Sequence, residues 1–135
     1  MEQEKILNLF YSSSEADVVV ALQLIHQSSD QVLKELLAAY LLLYNAFFKE
    51  HLLLLQPEQI LHLNAESLYI SGHHIRAMPP QIWVLKHLKT LTIRDTLITE
   101  FPEETKGLTG LEVLNLEGNK WLKSMSIALV GLKEL

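Results

Sequence analysis

The chain has 135 residues, 49% hydrophobic and 20% charged, with a net charge of −5. That length corresponds to about one domain. Residues 1–56 set seven acids against three lysines and residues 57–135 set nine acids against eight bases, so neither half offers the clustered Lys and Arg that nucleic acid needs. Cysteine is absent, which excludes disulfides, thiolate metal sites and cysteine nucleophiles and fits a reducing, cytoplasmic setting.

Met1-Glu2-Gln3-Glu4-Lys5 has no basic stretch leading into an apolar one, so no secretory signal is expected there. Glu2 to Tyr11 reads as a first helix, with acids in its opening turn where the helix dipole favours them. Ser12 stands three residues before Glu15, a capping-box spacing that predicts a second helix running to about Gln27. The Val18-Val19-Val20 run lowers its intrinsic propensity, so a strand over Val18–Leu22 is the alternative. Ser28 and Gln31 repeat the capping spacing, and a third helix is expected from Asp30 to His51. Leu36 to Phe48 is apolar except for Asn45. Thirteen residues are too few to span a bilayer, which takes roughly 17–25. A helix apolar on nearly every side must be covered on more than one; the first two helices and the open end of the following segment are the expected covers. Leu52–Leu55 extends the apolar run to Pro57, where the helical part is expected to end.

From there one phrase is written three times: Ser67-Leu68-Tyr69-Ile70, Thr90-Leu91-Thr92-Ile93 and Val113-Leu114-Asn115-Leu116, at a constant step of 23 residues. A fixed period in this range marks stacked repeats. Leu-x-Ile puts two apolar side chains on one face of a short strand, and stacking neighbours joins those faces into a continuous core. The second unit continues through Thr96, Ile98, Phe101-Pro102, Thr105 and Leu108; the first through His73, Ile75, Met78-Pro79, Ile82 and Leu85. The third runs Leu111, Leu114, Leu116, Asn119, Trp121 and departs at Ser124-Met125, where an apolar-Pro pair should stand. Leu55-Gln56-Pro57 with Ile60 and Leu63 matches the tail of a partial unit, and Leu132–Leu135 the start of another.

These lines resemble the leucine-rich repeat family, in the variant with proline after the fifth apolar position. The resemblance implies an α/β fold: a helical N-terminal capping region, residues 1–56, packed on a short right-handed solenoid with a short parallel β-sheet, residues 57–135. It also implies an asparagine ladder in the turns, here filled by His73, Thr96 and Asn119, and a concave strand face used for contact.

Strand alternation then aims Ser67, Tyr69 and Ser71, Thr90, Thr92 and Arg94, and Val113, Asn115 and Glu117 at that face, with Asp95, Leu97, His74 and Lys120 beyond the strand ends. Tyr and Arg are enriched at binding hot spots. Other chemistry finds little support. The histidines His51, His62, His73, His74 and His87 show no converging ligand spacing. Glu100, Glu103 and Glu104 read as a solvated loop, the serines lack a positioned base, and the glycines form no phosphate-cradling loop. Trp121 is expected to pack and Trp83 to be partly exposed. The leading expectation is a non-enzymatic module without cofactor or metal that binds a protein or peptide on the concave face. The alternatives are self-association through helix 36–48 or the C-terminal repeat edge, which makes a homo-oligomer possible, and a recognition arm of a longer protein.

Overall fold

A computed structural model describes residues 2–123. Four helices come first: α1 (Glu2–Phe10), α2 (Glu15–Gln27), α3 (Gln31–Phe48) and α4 (Pro57–Leu63). Three short strands follow: β1 (Ser67–Ser71), β2 (Thr90–Arg94) and β3 (Val113–Asn115). They form an open parallel sheet in the order β1-β2-β3. A 3-10 turn follows each of the first two strands, at Pro80–Val84 and Glu103–Gly107. One apolar core runs unbroken from Ile6 in α1 to Leu114 in β3. Among the described residues no helix is long and apolar enough to cross a membrane.

The helix ends differ from the capping spacings in instructive ways. The cap of α2 is Ser14, not Ser12. Ser12 instead donates to the Asp17 carboxylate at 2.7 Å and accepts from the Ser14 amide at 3.0 Å, so it braces the cap from outside. The valine run is helical: Val18, Ala21, Leu22 and Ile25 are buried on the 3.6-residue period while Val19 and Val20 face outward. Asp30 caps α3, accepting from the amides of Val32 and Leu33, and Ser28 accepts from the Asp30 amide. The Gln3 side-chain amide also bonds Asp30, and together these donors hold its carboxyl below its usual pKa.

The third helix stops at Phe48, short of His51, and Lys49 takes the left-handed conformation that ends it. Asn45 explains the stop. Its side-chain amide donates to the Leu52 carbonyl at 3.1 Å and accepts from the Leu52 amide at 3.0 Å, folding the chain back on itself. Leu52–Leu55 is therefore loop, with Leu53 89% and Leu54 63% exposed. Pro57 begins α4 rather than ending the helical part. Proline suits a first helical position, where its missing N–H would have no partner, and the Gln59 side chain accepts from the Gln56 amide to close the turn. The stretch that the repeat register assigns to a partial unit is thus helical, with Ile60 and Leu63 buried.

In the sheet the 23-residue step becomes physical register: Leu68 pairs with Leu91 and Leu91 with Leu114. Leu68, Ile70, Leu91, Ile93 and Leu114 are all buried. Helix α3 packs on the first 3-10 turn, α4, α2 and β1. One stripe of it, through Ala38, Leu42 and Ala46, stays exposed, so these covers are not complete.

Two histidines and a tyrosine tie the helices to the first repeat. His74 Nε2 meets the Phe47 carbonyl at 2.9 Å at the end of α3. His87 Nε2 meets the Tyr11 carbonyl at 2.8 Å, and the Tyr11 hydroxyl donates to the Val84 carbonyl at 3.0 Å. Deeper in the joint, buried Tyr40 donates to the Asn64 Oδ1, and the Asn64 Nδ2 donates to the Phe10 carbonyl at 2.8 Å.

Candidate functional site

The strand register brings the ten candidate residues onto one sheet face and its rim. Ser67, Thr90 and Val113 form one row across the three strands, and Tyr69, Thr92 and Asn115 the next. Ser71 pairs with Arg94. Tyr69 is 55% exposed, and the rest are exposed or half-buried, in alternation with the buried leucines and isoleucines. Backbone alternation alone dictates this. The face is mostly small and hydroxyl-bearing, with one aromatic ring on its first strand.

Its charged edge is defined by Arg94, which pairs with Glu117 at 3.3 Å. The Arg94 Nε is buried and has no hydrogen-bond partner among the described residues. Asn115 Oδ1 accepts from the Glu117 amide at 3.1 Å, which orders the backbone at that edge. A second charge row crosses the opposite ends of the strands, where Lys89 meets Glu66 at 3.5 Å.

Beyond the strands the backbone turns sharply, and the period shows again. Gly72, Asp95 and Gly118, each 23 residues from the next, all have positive φ. Glycine takes this conformation freely, and Asp is among the few other residues that tolerate it. A methyl group on Gly118 would collide with the Asp95 carboxylate. Gly118→Ala is therefore expected to lower stability by about 2 kcal/mol from left-handed strain plus the clash; an unchanged thermal midpoint would refute that turn geometry.

The ladder is held by Asn119, whose Nδ2 donates to the carbonyls of Ile93 at 2.6 Å and Leu116 at 2.7 Å. Its Oδ1 accepts from the Thr96 amide at 3.1 Å and from the Thr96 hydroxyl. The Thr96 oxygen in turn accepts from the Ile98 amide at 3.3 Å. Thr96 thus relays the ladder and is buried, whereas His73 in the same position of the first unit is exposed.

Other sequence candidates do not converge. Among the described residues no group of three or more His, Asp or Glu could hold a metal ion. Glu100, Glu103 and Glu104 are exposed, and Glu103 pairs with Lys106 at 3.4 Å. Trp121 is 62% exposed rather than packed. The C-terminal repeat edge from Ser124 lies outside the described residues.

One feature had little signal in the sequence. An open groove of about 450 Å³ lies between α1, α3 and the first 3-10 turn, lined by Leu7, Val32, Leu36, Leu42, Trp83 and their neighbours. Trp83 is 48% and Leu42 43% exposed. A near-continuous apolar run hides which of its side chains remain uncovered; only the packing partners decide that.

No protein-family model matches the chain, and neither a curated protein nor a solved structure matches it.

Proposed function

We propose that the chain is a leucine-rich-repeat interaction module: a helical cap on a short right-handed solenoid whose concave strand face binds a protein or peptide. The observation that carries this reading is Tyr69, an aromatic ring 55% exposed and in register with Thr92 and Asn115 on an otherwise small, polar face. An exposed aromatic supplies contact area at low conformational cost, and hydroxyl and amide neighbours supply adaptable hydrogen bonds. Arg94 adds a charged donor at the edge through the exposed end of its guanidinium, which also reaches Glu117 at 3.3 Å. The natural occupant is a segment lying across the strands, with an apolar or aromatic group against Tyr69 and an acceptor near Arg94. The reading requires no catalytic group and no cofactor.

Affinity capture from source cells with the wild-type chain and with Tyr69→Ala/Arg94→Ala tests it. A specific partner should be retained by the wild type and lost from the double variant, at unchanged helical content. Loss of both side chains at a binding hot spot is expected to weaken binding by about 100-fold. Equal retention by both chains would exclude this face.

A further inference from the structure

The uncovered stripe of α3 has an internal symmetry. Glu35, Ala38, Leu42, Ala46 and Lys49 are all exposed. Their spacing is 3, 4, 4 and 3 residues, the same read in either direction. At about 100° per residue, all five fall within roughly 40° of Leu42 around the helix. Lys49 is the left-handed cap, so it sits just past the regular helix. The stripe is therefore a palindrome in size, with a leucine at its centre, alanines on either side and opposite charges at its ends.

We propose that this face pairs with the same face of a second copy of the chain, antiparallel, about a two-fold axis at Leu42. The charges choose the occupant and the direction. In the antiparallel pairing each Glu35 lies level with Lys49 of the other copy, and each Ala38 with Ala46. In a parallel pairing, Glu35 would meet Glu35 and Lys49 would meet Lys49. Among the described residues neither charge is held in an ion pair. Lys49 has no acidic partner among the described residues, and Glu35 accepts only from the exposed Gln31 amide at 3.3 Å. The alanines allow the two helix axes to approach closely, towards the short end of the ~8–10 Å range for packed helices.

The surface around the stripe is also apolar. Val32 is 57%, Leu42 43% and Trp83 48% exposed, and they line one groove that includes Glu35 and Ala38. Contiguous exposed apolar surface of this kind marks association sites. A single helix face is small beside the roughly 800 Å² per partner of a standard interface, so a dissociation constant on the order of 10–100 μM is expected. The dimer does not depend on the concave-face reading, and it leaves Tyr69 and Arg94 to their own partner.

Sedimentation equilibrium of the full chain across a concentration series tests the proposal, with circular dichroism as the check on folding. The wild type should dimerise reversibly. Leu42→Glu, at an exposed position, should abolish dimerisation. Glu35→Lys and Lys49→Glu should each weaken it by about tenfold or more, because each turns two attractions into repulsions. The combined Glu35→Lys/Lys49→Glu chain should recover wild-type dimerisation, whereas in a parallel pairing even the single exchanges would only replace one like-charge contact by another and leave the dimer unchanged. A wild type that stays monomeric up to about a millimolar, a dimer indifferent to Leu42→Glu, or a dimer broken by Leu42→Glu but blind to the charge exchanges would each overturn it.

Discussion

Asn64→Leu is expected to lower folding stability by about 2–5 kcal/mol, because it strips partners from two buried polar groups at once. Asn64 is 9% exposed and links the Tyr40 hydroxyl to the Phe10 carbonyl. Leucine matches its size but offers neither acceptor nor donor. Phe10 and Tyr40 are fully buried and meet edge to face at 4.8 Å, so the Tyr40 hydroxyl would lose its Asn64 acceptor inside an apolar core. The urea midpoint measures the loss. A double variant, Tyr40→Phe/Asn64→Leu, removes the orphaned hydroxyl and should recover part of it, a sign of non-additive coupling. A midpoint unchanged by Asn64→Leu would mean that this joint contributes nothing.

The same joint sets an alkaline limit. Burial raises the Tyr40 hydroxyl well above its usual range, and neighbouring Tyr11 raises it further; burial also raises Tyr11. In the unfolded chain both ionise near pH ~10. The unfolded state therefore releases protons first, and stability falls as pH rises above about 10, having been fully present below it. Tyr40→Phe should flatten that fall, as read from urea midpoints on either side of pH 10.

Local patterns were legible where one residue decided the geometry. The 23-residue step fixed the strands and their register, because alternation and stacking leave no freedom once Leu68, Leu91 and Leu114 are aligned. The helix limits were less legible. Ser12, Ser13 and Ser14 are chemically equivalent as caps, and only the fold chose Ser14. Leu52–Leu55 reads as more helix until the Asn45 side chain is seen closing the loop at Leu52. Tertiary contacts such as His74 to Phe47 and His87 to Tyr11 join residues far apart in sequence, and composition carries no trace of such pairings. The strand-face candidates could be named from alternation, but the exposed stripe of α3 could not, since leucines inside an apolar run look alike until their neighbours are in place.

The asparagine ladder predicts a loss of a different kind. Asn119→Ala would leave the carbonyls of Ile93 and Leu116 and the Thr96 amide without the side chain that now pairs them. The expected cost is about 2–3 kcal/mol, reduced where water reaches the turn, since Asn119 is only half-buried. Stacked repeats gain stability mainly from nearest neighbours, so the damage should stay local. Hydrogen exchange should quicken at amides of β2, β3 and the turns beyond them, while α1, α2 and α3 keep their protection. Asn64→Leu should do the reverse, weakening the joint on which the helices and the first repeat both depend. If Asn119→Ala instead released every amide equally, the helical part and the repeats would be one cooperative unit, and the sheet could not be treated as a stack of semi-independent layers.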